Sequence, residues 1–222
     1  MKRLCELIGR ELPAVEAGRI RISEGNRKMG SIPSVSLPAV LSCDPAAPCA
    51  VDGTCYVVAN MYRGPWWRNV LQSHLANFAL WNADPESYFA QLSGWIERRR
   101  PELFRVHVSG DCPTEDYMNR VFKLGHKLIC AGVETRVLMF TKRFGWLPPR
   151  QRGIPANVSV VASGWHGMPR PPKGYRVAWM MDPADPDSRI PKSALRCPGG
   201  CESCGMCWDI YKLKRDVYFH KH

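Results

Sequence analysis

The sequence predicts an α/β protein, a partial parallel (β/α) barrel with cysteine-rich loops at both ends of the chain. Two observations support this. Short β-branched apolar runs recur along the chain, the earlier ones separated by helical segments, and each run ends in a polar or glycine-containing turn. Strands alternating with helices read as a parallel sheet, in which ligands collect at the loops after the strands' C-terminal ends. A third observation concerns chemistry: seven of the ten cysteines fall in two tight groups, at 43–55 and 197–207, outside those runs.

The elements follow in order. Residues 1–30 read as a short helix and a basic arm with few hydrophobic anchors. SIPSVSLPAVLSC (31–43) reads as a short strand bounded by Pro33 and Pro38. From Trp67 to Trp81, Val70, Leu71, Leu75, Phe78 and Ala79 recur at helical spacing. Asp84 followed by Pro85 at the first helical position opens a second helix to about Arg99. FRVHVSGD (104–111) is a strand ending in a glycine turn, and Thr114 can cap a helix reaching roughly Cys130. RVLMFTKR (136–143), NVSVVASG (157–164) and YRVAWMMD (175–182) are further strands. Between these last strands, GWLPPRQRGIPA and HGMPRPPKG read as loops rather than helices. The chain divides into the arm (1–30), an α/β core with the first cysteine loop (31–196), and a C-terminal cysteine segment with a final strand (197–222).

Composition narrows the function classes. With 222 residues, 45% hydrophobic and 23% charged, the chain can bury a real core and is neither disordered nor fibrous. No uninterrupted apolar run approaches the roughly 20 residues of a spanning helix, and charges interrupt the first apolar stretch, MKRLCELIGRELP. The expectation is a cytoplasmic protein without membrane contact. Ten cysteines in such a compartment point to metal or redox chemistry rather than disulfides. The net charge of +11 makes nucleic acid a plausible partner through counterion release.

CPGGCESCGMCW sets Cys197, Cys201, Cys204 and Cys207 in a C-x3-C-x2-C-x2-C array. Four soft thiolates lie within a dozen residues, and Gly199, Gly200 and Gly205 let the backbone wrap a metal centre. Tight runs of this sort hold ferredoxin-type iron–sulfur clusters, whereas structural zinc more often takes two separated pairs of ligands; zinc remains the alternative. Cys43, Cys49 and Cys55 supply only three thiolates, in a C-x5-C-x5-C array followed by Tyr56. Three ligands leave one metal position open, as catalytic centres require, unless Cys112, Asp111 or a histidine closes it.

The combination of SIPSVSLPA, a three-cysteine loop ending in Cys-Tyr, FRVHVSGD and a terminal cysteine run ending in Cys-Trp resembles the gene product 88-like family of phages and mobile elements. The resemblance covers most of the chain after about Lys28 and implies no activity of its own. At greater distance the layout resembles a minimal radical S-adenosylmethionine enzyme. That resemblance implies a [4Fe–4S] cluster on Cys43, Cys49 and Cys55 whose fourth iron binds the methionine part of the cofactor. It also implies Tyr56 beside the cofactor and Ser109, Gly110 and Asp111 near its amino group. The superfamily's C-x3-C-x2-C loop is wider here, and its glycine turn reads SGD rather than GGE.

Other residues carry weaker signals. Thr141, Lys142 and Arg143 end a strand where they could hold a carboxylate or phosphate. His107 reads as a core histidine within its strand, and His166, in SGWHGM, as a site candidate. Trp66, Trp67, Trp95, Trp146, Trp165 and Trp179, with Arg98, Arg99 and Arg100, could stack on bases, although such residues also serve as core anchors and helix-end charges. The leading expectation is an iron–sulfur protein with one or two [4Fe–4S] clusters, an electron donor and an S-adenosylmethionine site. The alternative is a zinc-stabilised, non-catalytic nucleic-acid-binding protein.

Overall fold

The computed structural model describes residues 1–51, 53–184 and 189–220, whose strands join in one sheet. In chain order these are β1 (Ile22–Ser23), β2 (Ser34–Val35), β3 (Leu103–Val106), β4 (Arg136–Thr141), β5 (Val158–Gly164), β6 (Arg176–Met181), β7 (Leu195–Arg196) and β8 (Val217–His220). The order across the sheet is β1-β2-β3-β4-β5-β6-β8-β7. Only β1 runs antiparallel to its neighbour; every other adjacent pair is parallel. The sheet is open, with β1 and β7 at its edges.

The predicted helices are present. Helix α3 (Trp67–Ala83) buries Leu71, Leu75 and Leu80. Helix α4 (Pro85–Arg99) is capped by Asp84, whose carboxylate accepts from the Ser87 amide at 2.9 Å. Helix α5 (Glu115–Cys130) is capped by Thr114, whose hydroxyl accepts from the Tyr117 amide at 3.1 Å. Its buried residues Met118, Val121, Phe122, Gly125 and Leu128 recur every three or four positions, so one face meets the sheet. Helix α1 (Lys2–Ile8) buries Leu4 and Ile8 against Val57, Val58, Tyr62, Leu71 and Leu75.

Period-two alternation gives the sheet two different faces. On β4, Val137 and Met139 join the helix-side core with Phe104, Val106, Val160 and Ala162. Leu138 and Phe140, one residue out of phase, face the other way with Val161, Ala178, Val217 and Trp208. Helices α4 and α5 cover the first face, and the cysteine-bearing segments gather over the second.

Two strands are shorter than their apolar runs suggest. The segment 31–43 pairs only at Ser34–Val35, since Pro33 and Pro38 have no amide to give the ladder. The run from 104 stops at Val106 because His107 takes a left-handed φ of 65°, which ends the strand before the glycine turn. His107 is therefore a strand-end residue and not a strand-interior one. The connection after β4 carries only short 3-10 turns, at Phe144–Trp146 and Pro149–Gln151, and the connection after β5 carries no helix.

Candidate functional site

The three-cysteine loop stands on a small core of its own. After β2 the chain bends over the end of β3: the Leu37 amide donates to Ser109 O at 3.2 Å, and the Asp111 amide to Ser42 Oγ at 3.3 Å. Gly110, with φ +80°, has no room for a side chain, because a Cβ would lie 2.7 Å from Leu37 O. Below the loop, the Ala39 amide donates to the Tyr62 hydroxyl at 3.1 Å, which bonds His74 Nδ1 at 2.8 Å and Ser109 Oγ at 3.2 Å. Burial lowers the His74 pKa to about 4, so its ring is neutral and Nδ1 can accept the phenol proton. Helix α2 (Pro48–Val51) carries Cys49, and Cys55 leads into a π-helical turn at Val57–Met61, an irregularity often found at functional sites. Asp44, beside Cys43, pairs with Arg143 at 3.3 Å and ties the loop to the end of β4.

The four-cysteine segment is held from both chain ends. β7 delivers Cys197, whose amide donates to Tyr218 O at 2.7 Å. Helix α6 (Cys201–Cys204) begins where the Cys201 amide donates to Lys28 O at 2.8 Å, and Gly205, left-handed at φ 60°, turns the chain back toward Cys207. Glu202 accepts from the Ser31 amide at 3.2 Å and from the Ser31 hydroxyl. Trp208, 5% exposed, anchors the segment in the sheet through Nε1 to Phe104 O at 3.3 Å.

Both sets open into one cavity of about 230 Å³ on the inner face of the sheet. Cys43, Cys49 and Cys55 line it together with Cys197, Cys201 and Cys207; Cys204 is not in its wall. Tyr56, 38% exposed, lies between them, lining the cavity with Gly110 and Asp111. Ser109 is buried one layer below, on Tyr62. Lys142 also lines the cavity, whereas Arg143 turns to Asp44 and His166 is exposed outside the wall.

Burial holds two of the wall cysteines in the neutral thiol form, against the pull of Lys142 on Cys43 and of Arg105 on Cys207. Burial pushes the Cys43 thiol up to about 12, with Asp111 adding to the effect, and burial likewise pushes Cys207 to about 12. A thiolate at either position needs a compensating positive charge, which a metal ion supplies. Asp111 is committed to the backbone: Oδ1 accepts from the Cys112 amide and Oδ2 from the Lys142 amide, both at 2.7 Å. It locks the ends of β3 and β4 together. Among the described residues, the metal-ligand atoms of three residues come within 4.8 Å of one another only at His107, Asp111 and Cys112, a buried group; Cys112 itself lies outside the cavity wall.

Sequence reading did not single out Arg105. It occupies an inner-face position of β3, lining the cavity with its guanidinium 4.7 Å from the Phe140 ring centroid. The alternation FRVHV carries the signal, since Phe104 and Val106 face the helices and Arg105 must face away. Of the tryptophans, Trp179 belongs to the helix-side core with Trp95 and Trp146 packed against it, Trp165 lines the cavity, and Trp66 is 73% exposed. No described helix is long and apolar enough to cross a membrane.

Comparison with known proteins returns no match among curated proteins or solved structures. A family model does match, spanning both the inner face of the sheet and the two cysteine sets. Over residues 14–210 it is that of Gene product 88, and the chain belongs to this family.

Proposed function

We propose that the chain is an iron–sulfur protein in which one open and one closed [4Fe–4S] cluster serve a common chamber. Cys43, Cys49 and Cys55 hold the open cluster, and Cys197, Cys201, Cys204 and Cys207 the closed one. The observation that carries this reading is one cavity lined by cysteines of both sets. The parallel strands β2, β3, β4, β5, β6 and β8 follow one another across the sheet in chain order, the order of a partial (β/α) barrel, with the three-cysteine loop following β2 and the Ser-Gly-Asp turn following β3.

The preference for iron–sulfur over zinc rests on the sequence spacing: the four C-terminal thiols lie within a dozen residues rather than in two separated pairs.

When bound and reduced, the open cluster would supply one electron to a sulfonium cofactor, splitting a carbon–sulfur bond into methionine and a 5′-deoxyadenosyl radical. The chain's own residues prepare that chamber. Gly110 lets the Ser42–Leu37 segment close over the end of β3, Asp111 fixes two strand-end loops, and Tyr56 lies beside the last cysteine of the open set. The closed set, which lines the same cavity through Cys197, Cys201 and Cys207, would pass electrons from an external donor.

Anaerobic purification followed by iron, zinc and acid-labile sulfide analysis tests the first claim. The expected result is a brown protein with up to eight irons per chain; a colourless zinc protein without sulfide overturns it and favours a zinc-stabilised nucleic-acid-binding role. Adding S-adenosylmethionine to the reduced protein is expected to perturb its electron paramagnetic resonance signal and release 5′-deoxyadenosine. An unchanged signal with no product overturns the sulfonium chemistry.

A further inference from the structure

We propose that the shared cavity binds a small organic carboxylate, its charge held by Arg105 and Lys142 and its apolar part lying against Phe140, Met180 and Phe219. That this molecule is the substrate rests on the two-cluster reading above. That it binds rests on the cavity alone.

Three cations line this chamber without a carboxylate to pair with among the described residues: Lys28, over the Phe219 ring at 6.0 Å, Arg105 and Lys142. Arg105 uses Nε on His107 O at 3.1 Å and Nη1 on Met29 Sδ at 3.5 Å, and stacks on Phe140. No carboxylate lies within ion-pair distance of it among the described residues. The Lys142 ammonium rests 4.9 Å from the Trp165 ring centroid and likewise has no acidic partner at that range. Asp111, which lies nearby in the wall, gives both its oxygens to backbone amides. Three half-buried cations facing one enclosed space, held by no ion pair and offset only by Asp111 and the thiols of Cys43, Cys201 and Cys207 nearby, favour an anion there, because a charge removed from water without a partner is costly.

A second observation is independent of charge. His107 Nδ1 and Trp165 Nε1 are buried and have no hydrogen-bond partner. Both residues line this cavity, and His107 is only 2% exposed. Its other nitrogen, Nε2, is bonded to the Tyr117 hydroxyl at 3.0 Å, so the ring is fixed and only Nδ1 is left over. Buried polar atoms are nearly always satisfied, and exceptions at a cavity wall mark groups that a ligand completes. Trp165 offers a donor, and His107 offers a donor or an acceptor according to its tautomer.

The chemistry of the wall selects among anions. The guanidinium fork matches a carboxylate with two parallel hydrogen bonds. A phosphate would bring a second negative charge beside Asp111. Leu138, Phe140, Ala178, Met180 and Phe219 supply the apolar part of the wall, which suits an uncharged hydrocarbon body.

The test is anaerobic equilibrium dialysis of the full-length, metal-loaded chain with radiolabelled hexanoate and with hexanamide, its neutral counterpart of the same shape. Hexanoate is expected to bind at least tenfold more tightly than hexanamide, and to lose at least tenfold in affinity in both Arg105→Met and Lys142→Met. Equal binding of acid and amide, or unchanged hexanoate affinity in Lys142→Met, overturns the proposal. Arg105 also holds backbone, so its variant is read only alongside circular dichroism and iron content; Lys142→Met removes no protein hydrogen bond of that side chain and stands as the independent test. If Arg105→Met shifts the potential of the cysteine-bound centre while hexanoate binding is absent in every form, the cations serve the clusters and the proposal fails. Iron and sulfide measured on the same samples separate this failure from that of the two-cluster reading.

Discussion

His74 and His107 are both buried in their neutral forms. Burial lowers the His74 pKa to about 4 and the His107 pKa to about 3, against an unfolded value of 6.5. The unfolded chain therefore takes up protons that the folded chain refuses, and stability present above pH 6.5 is lost as the pH falls toward those values. Each histidine is expected to remove on the order of 1–2 kcal/mol by pH 5. Urea midpoints measured between pH 7 and pH 5 check this, and His74→Gln is expected to flatten the slope by about one proton. Tyr62 is the complementary case. Its hydroxyl joins the Ala39 amide, His74 and Ser109 under the three-cysteine loop. Tyr62→Phe leaves a buried amide unpaired at a cost of about 1–3 kcal/mol, to be read as a lower urea midpoint. The proposed two-cluster arrangement predicts that Cys55→Ala lowers iron and sulfide by about half while Cys207→Ala removes the other half. Loss of all metal in both variants would show one centre rather than two.

At the scale of elements, helix packing and strand-end turns set the geometry. Gly125 faces the sheet from α5, where an added Cβ would meet Val158 Cγ2 and lie 3.0 Å from Pro155 Cγ. Gly125→Ala is expected to cost about 1–3 kcal/mol through overpacking, measured by urea unfolding. Gly110→Ala combines a left-handed φ of +80° with a Cβ 2.7 Å from Leu37 O. Since that carbonyl belongs to the segment leading to Cys43, the variant is expected to lose metal at the three-cysteine set and keep the C-terminal centre. Metal analysis against the Cys55→Ala profile tests this. The helices were legible because capping and periodicity are local: Asp84, Pro85 and Thr114 stand where the sequence places them. The strand at 104 was legible as an apolar run, yet its end was not, since the left-handed turn at His107 follows from contacts with β2 and α5 rather than from its neighbours in sequence.

Over the whole molecule, the two ends of the chain hold each other. The end of the arm and the residue after it meet the C-terminal segment through Lys28 O with the Cys201 amide and through Ser31 with Glu202, while β8 pairs with β6 and carries β7 at the edge. Removing residues 195–222 takes away both strands and Trp208, leaving an unpaired β6 edge. Light scattering is expected to show aggregation of that truncated chain, and a monodisperse product would show that the segment is dispensable to the sheet. Stripping metal from the intact chain is expected to lower its thermal midpoint by several degrees, because the C-terminal loop then depends only on its hydrogen bonds and Trp208.

What the sequence by itself determined was the α/β class, the three long helices, a parallel layout of the central runs and the existence of two cysteine groups. These rest on periodicity, caps and spacing, which act within a few residues. Only the tertiary structure decided that cysteines some 150 positions apart wall one cavity. It also decided that Arg105 and Lys142 face that cavity without acidic partners and that Asp111 is bound to backbone rather than free. The reason is physical: which side of a strand a residue occupies is written in its alternation, but what lies opposite depends on how the sheet and the two chain ends come together.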